Sequence, residues 1–178
     1  VVGIGGDIGR TIALIGSAAA LGIAATLLSS GTATAADLSC TPAPGTDTVS
    51  VDGTSACGVR IDDTSSAYAR AVDAVAFARA DLAGGAFGLA SSGGVAAAET
   101  VSGRVGAVST GRDSVSIVSP DPGAIALAVS LERGQTFVGT VEEGVLCNAG
   151  AGLAVNVTTG QVCLSDGITS WSSVVALP

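Results

Sequence analysis

The sequence has no histidine, no lysine and no methionine, and its aromatic content is three Phe, one Tyr and one Trp. Without histidine, the commonest general base and the commonest zinc ligand are both missing. Without His or Lys, the many serines have no partner for the familiar nucleophilic dyads and triads. The absent lysine, the singly scattered arginines and a net charge of −8 argue against a nucleic-acid partner, which needs a basic stripe. No phosphate-binding loop, D-x-D-x-D-G calcium loop or Gly-Gly-x-Gly-x-Asp nonapeptide is present. Paired acids occur at Asp62-Asp63 and Glu142-Glu143. A glycosidase needs two carboxylates across a cleft, but these pairs flank turns at opposite ends of the chain's central region and read as solvated loop acids. The expectation is a protein that is not an enzyme, with no catalytic residue, no cofactor and no metal.

What is present is small and apolar. Hydrophobic residues make up 48% of the chain, mostly Ala and Val. Each buried side chain therefore brings little area, and stability must come from many small contacts and a regular hydrogen-bond ladder. A length of 178 residues suits one domain.

At the N-terminus, Arg10 precedes an uncharged apolar run from Thr11 to Leu28, followed by the small-residue pattern Ala33-Thr34-Ala35. A positive residue, an apolar stretch and an A-x-A site describe a secretory signal peptide over residues 1–35, cut after Ala35 or Ala36. The alternative, an uncleaved membrane anchor, meets a run that is short for spanning. The glycines between Gly3 and Gly9 miss a dinucleotide fingerprint, because its third glycine falls on Ile8. Leu38-Ser39-Cys40 misses a lipoprotein box by one position.

Residues 36–66 are turn-rich, with one strand expected at Thr48–Val51. They carry Cys40 and Cys57, while Cys147 and Cys163 lie near the other end. Four cysteines in an exported chain point to two disulfides, Cys40–Cys57 and Cys147–Cys163, the first worth about 3 kcal/mol on the chain-entropy model. A four-cysteine metal site needs C-x-x-C pairs, which are absent.

Residues 67–141 repeat. Short apolar segments recur about every nine to twelve positions, separated by Gly, Ser, Asp or Pro. Ala74–Ala78, Ala86–Ala90, Val95–Ala98, Val105–Val108, Val115–Ile117, Ala124–Val129 and Thr136–Val138 read as stacked short strands. Residues 65–83 also fit a helix capped by Asp63 or Thr64 and ended at Gly84-Gly85. Repetition over the following 60 or so residues favours strands. Larger side chains fall two apart, as in Val75/Phe77, Phe87/Leu89 and Ile125/Leu127/Val129, with Ala, Gly or Ser between them. The small residues are expected on the outer face, open to close approach by another surface.

The segments Ala67-Tyr68-Ala69, Ala74–Phe77, Ala86–Leu89, Val105–Val108, Ser114–Ile117 and Ala124–Leu127 resemble the head repeats of trimeric autotransporter adhesins. That resemblance covers about 70 residues and implies a parallel β-roll acting in adhesion. The signal segment and paired cysteines around an Ala/Gly core also resemble small exported proteins of high-GC Gram-positive bacteria.

Residues 142–178 change character. Val145–Cys147, Leu153–Val157 and Gln161–Leu164 read as strands, the last two as a hairpin that Cys147–Cys163 ties to the strand before it. Solenoids need covered ends, so 36–66 and 142–178 are read as caps. Trp171 is expected to pack as a final lid, the alternative being a surface binding aromatic. Asn156-Val157-Thr158 is a glycosylation pattern that a bacterial origin leaves idle.

The fold expected is a mainly-β solenoid or β-roll of short strands with disulfide-tied end caps, or else an antiparallel β-sandwich or barrel. The function expected is that of a non-catalytic, adhesin-like structural or interaction module, secreted or held in the cell envelope. The alternative is an oligomeric β-barrel or pore of an outer envelope layer, although most segments fall short of the roughly 9–11 residues a spanning strand needs. Expected partners are a protein or other envelope component, further copies of the chain included, and no nucleic acid. The membrane is met only through an uncleaved signal segment. N-terminal sequencing of the exported protein is expected to begin at Ala36 or Asp37, and a start upstream of residue 30 contradicts the assignment.

Overall fold

The computed structural model describes residues 35–174. The expected signal segment, through residue 34, lies outside the described residues. Those described are strands and turns, with no helix long and apolar enough to cross a membrane.

The chain enters along β1 (Asp37–Cys40), passes through β2 (Asp47–Asp52) and begins to coil at β3 (Ser55–Ile61). From β3 to the eleventh strand, successive strands alternate between two sheets. β4 (Ser66–Val72), β6 (Gly85–Ser91), β8 (Arg104–Thr110) and β10 (Ile125–Ser130) run parallel in the first. β3, β5 (Val75–Ala80), β7 (Val95–Ala96), β9 (Val115–Val118) and β11 (Gln135–Val138) run parallel in the second. Ser66, Gly85, Arg104 and Ile125 stand side by side, so each turn of the coil takes about 20 residues. This is a β-solenoid of about four turns. The ambiguous stretch 65–83 is β4 and β5, not a helix.

Both ends are finished by reversal of strand direction. β1 pairs antiparallel with β4, and β2 with β3. At the other end β12 (Val145–Asn148) pairs antiparallel with β11, and β13 (Gly150–Asn156) with β10. β14 (Gln161–Gly167) and β15 (Ser170–Val174) extend the first sheet to eight strands, while the second has seven. The hairpin read at Leu153–Leu164 is β13–β14. β3, with Cys57, already belongs to the parallel coil and not to the cap that precedes it.

Corners use tight turns. At Asp81–Gly84 the central Leu82 and Ala83 both have positive φ (55° and 61°), and Gly84 N–H donates to the Asp81 carbonyl at 3.1 Å. At Asp121–Ala124, Pro122 fixes the first central position and Gly123 supplies φ 81° at the second, as a type II turn requires.

The faces are the reverse of the expectation. Ala69, Ala71, Ala76, Ala78, Ala80, Ala107 and Ala128 are buried between the sheets, whereas Val75, Phe77, Phe87, Ile117 and Ile125 are exposed. The reason is spacing. A Cβ added at Gly88 in β6 would collide with the carbonyl oxygen of Phe77 in β5, and one at Gly152 in β13 with the Thr136 methyl in β11. Sheets this close leave room inside mainly for Ala, Ser and Gly, with Val at a few positions such as Val59, Val118 and Val138, and most of the larger side chains turn outward.

Where Ser or Thr replaces Ala inside, its hydroxyl is satisfied. Ser116 Oγ lies 2.6 Å from the Val108 carbonyl oxygen and 2.7 Å from Ser130 Oγ, which is 2.9 Å from Thr136 Oγ1. Ser109 Oγ donates to the Ser114 carbonyl at 2.7 Å. Paired in this way, buried hydroxyls avoid the desolvation penalty of an orphaned group.

Two disulfides cross the interior. Cys40–Cys57 joins β1 of the eight-stranded sheet to β3 of the seven-stranded one, and Cys147–Cys163 joins β12 to β14 at the far end. All four cysteines are buried. With 17 and 16 residues of separation, each bond is worth about 3 kcal/mol on the chain-entropy model.

The inward Ala stripe gives a direct test. Ala107→Leu is expected to cost at least about 2–3 kcal/mol by forcing the sheets apart. Ile117→Thr, on the outer face, should cost about 1 kcal/mol or less. Urea unfolding of both variants measures this; a larger loss for Ile117→Thr would reverse the assignment of faces.

Candidate interaction surface

Alternation turns one residue in two outward on every strand, and the register aligns those residues into rows across the eight-stranded sheet. Tyr68, Phe87, Gly106, Leu127, Val155 and Val162 form one row. The next runs Arg70, Leu89, Val108, Val129, Leu153, Leu164 and Trp171. In the first row Gly106 makes room for its neighbour, since a Cβ there would overlap the tip of the Phe87 ring. Phe87 therefore lies flat over the β8 backbone.

A shallow groove of about 610 Å³ follows the first row across the strands. Tyr68, Phe87, Leu127, Ile125, Val155 and Val157 supply its apolar walls, and Arg104 reaches along its rim above Gly85. Trp171 is not the buried lid expected from sequence. It is 57% exposed and ends the second row beside Leu164. β15 is the outermost strand of the sheet and, among the described residues, no layer lies above it to receive an indole.

Charge is handled differently on the two sheets. On the eight-stranded sheet Arg70 is neutralised by a bidentate pair with Asp37, Nε to Oδ1 at 2.9 Å and Nη2 to Oδ2 at 2.6 Å. That pair pins edge strand β1 to β4. On the seven-stranded sheet Arg60 faces Asp47 at 3.7 Å, and Arg79 sits between Asp81 at 2.7 Å and Glu99 at 2.9 Å. These charges interrupt that sheet's outer face.

The acid pairs lock turns. Asp62 is held well below the usual carboxylate range, first by the Ser65 hydroxyl, then by the Leu82 N–H at 2.6 Å and by Thr64. It thus ties one corner to the corner of the next turn. Glu143 Oε2 accepts from Thr140 N–H at 3.1 Å within its own loop. Among the described residues, no three His, Cys, Asp or Glu side chains are grouped to hold a metal ion. The cysteines named from sequence are all spent as cross-sheet disulfides. Asn156 of the glycosylation pattern is fully buried, its Oδ1 accepting from Thr158 N–H and Thr159 N–H at 3.1 and 3.2 Å. It is closed to modification in the folded chain.

The outer apolar face was not foreseen from the sequence, yet it left a signal. Along the middle inward row of the eight-stranded sheet the side chains stay small (Ala69, Gly88, Ala107, Ala128, Ala154), while the outward row beside it varies among Tyr, Phe, Gly and Leu. A face of constant volume is the packed one, because interiors tolerate little change in volume.

A family of unknown function, DUF6764, is matched by residues 7–166 of the chain. No curated protein and no solved structure matches it.

Three exposed carboxylates set the acid response. Asp37 is lowered by its hydrogen bonds with Arg70, Asp62 as described, and Asp166 by the Thr169 and Ile168 N–H groups. A depressed folded pKa means that the stability is present above the unfolded value, near 3.8, and is lost as pH falls below it. The urea midpoint is expected to hold from pH 7 to about 5 and to fall below about pH 4, less steeply in Asp62→Asn. A midpoint that rises on acidification contradicts this.

Proposed function

The chain belongs to DUF6764, a family of unknown function, and from its geometry we propose that it is an exported, non-catalytic interaction module of the cell envelope or medium. It works by presenting the outer face of its eight-stranded sheet to a partner. The observation that carries this reading is the turning out of the large apolar side chains into rows on a rigid sheet. Contiguous exposed apolar surface of this kind marks a place of contact, and a disulfide-closed scaffold keeps it flat.

Several features support the surrounding claims. Two buried disulfides fit an oxidising compartment, and the Arg10–Ala35 segment has the make-up of an export signal. With no His and no Lys in the chain, binding fits its chemistry better than group transfer. The likeness of residues 67–141 to adhesin head repeats agrees with a role in attachment.

Labelled protein is expected to bind the isolated envelope of its own cells saturably. Replacing outward residues in the groove, as in Tyr68→Glu with Ile125→Glu, should weaken that binding at least about tenfold. Linear, unsaturable uptake that is unchanged by the double variant would defeat the proposal.

A further inference from the structure

Resting on the reading that the eight-stranded face is the working surface, we infer that its occupant is a second copy of the same chain. The two faces pack against each other, sheet on sheet, about a two-fold axis. The pairing is isologous, the same rows meeting on both sides.

Area is the first argument. Eight strands about 4.8 Å apart, each about six residues long at 3.3 Å per residue, make a face of roughly 35 by 20 Å. That is on the order of 700 Å² per copy and about 1,400 Å² for the pair, within the range of stable, specific interfaces. A short peptide or a small amphiphile lying in the groove would leave most of this face wet.

Shape is the second. The Tyr68–Phe87–Leu127 row is a ridge with the groove running beside it, and both cross the strands in the same direction. A copy turned through 180° and inclined by about 30° lays its ridge toward that groove, as the inner faces of sandwiches interdigitate.

Charge is the third. The chain carries a net charge of −8, yet the two rows contain no carboxylate, and their one cation, Arg70, is neutralised by Asp37. Arg104 stands at the rim. On this face the carboxylates stand outside the two rows, Asp37 on β1 paired with Arg70 and Asp166 at the end of β14; Asp62, Asp81 and Glu99 lie on the corners and on the seven-stranded face. That second face is also apolar in part, but the Asp47–Arg60 and Arg79–Glu99 pairs break it, and its strands β7, β9, β11 and β12 are short. It is the poorer candidate.

The test is sedimentation equilibrium of the disulfide-bonded, exported protein over a wide concentration range, with circular dichroism of every variant. The expected mass is twice that of one chain. Leu127→Glu should weaken the dimer at least about 100-fold by placing an unpaired charge at its centre. Ile117→Glu, on the opposite sheet, should leave it intact. If Leu127→Glu fails to fold, Leu164→Lys, half-exposed in the neighbouring row, replaces it with the same expectation.

A monomer up to about 1 mM overturns the inference, as does a dimer that survives Leu127→Glu and Leu164→Lys or is broken by Ile117→Glu. Binding of the monomer to phosphatidylglycerol vesicles through the same face, without dimerisation, overturns it as well. A monomer that still binds envelope saturably leaves the proposed function standing without the dimer, whereas a dimer that binds no envelope does the opposite.

Discussion

The separation between the two sheets is the constraint on which the rest of the molecule depends. Backbone of one sheet sits so near the other that Gly88 has no room for a methyl group beside Phe77, and Gly152 none beside Thr136. Ala69, Ala78, Ala107 and Ala128 fill the space where a side chain fits at all. Each brings little apolar area, so the interior works through close packing and paired backbone groups more than through large hydrophobic payloads. The hydroxyls of Ser116, Ser130 and Thr136 fit because they are about the size of the Ala and Val side chains around them and bond to each other across the gap.

From this spacing the outer surface follows. A chain with 48% hydrophobic residues whose interior takes Ala, Ser and Gly with only a few larger side chains such as Val59, Val118 and Val138 must display much of its Val, Leu, Ile and Phe. The seven-stranded sheet offsets that display with ion pairs. The eight-stranded sheet carries one such pair, Arg70–Asp37 at its β1 edge, and Gly106 allows Phe87 to lie flat over its backbone. Covering that face with a partner removes apolar surface from water without any change in the scaffold. The disulfides hold both ends of the sheet pair in place, so little ordering cost accompanies binding.

Much of the architecture was legible in the chain. Tight turns at Gly84-Gly85 and at Pro122-Gly123, with period-two alternation between them, marked the strands, and their recurrence, though uneven in length, marked the coil. The cysteine pairs and the β13–β14 hairpin were read from position and turn chemistry. The direction of the faces was not. Alternation separates Phe87 and Leu89 from Ala86 and Ala90 but does not say which pair is inside, and the habit of placing larger side chains in a core pointed the wrong way. The same habit made Trp171 a buried lid. Its position on the last strand of an open sheet comes from topology, to which a single side chain gives no clue. Asp62 was read as a solvated loop acid; its bond to Leu82 depends on how one turn of the coil stacks on the next, a contact between positions 20 residues apart.

The central claim is that the small residues face in and the large ones out, and side-chain accessibility tests it most directly. Hydroxyl-radical footprinting of the native, disulfide-bonded protein reads Phe77 and Ile117 on the sheet that needs no partner. Both are expected to be modified in the folded protein at rates within a few fold of those in the reduced, unfolded chain. If both are protected until the protein unfolds, the large side chains are the core and the account is wrong.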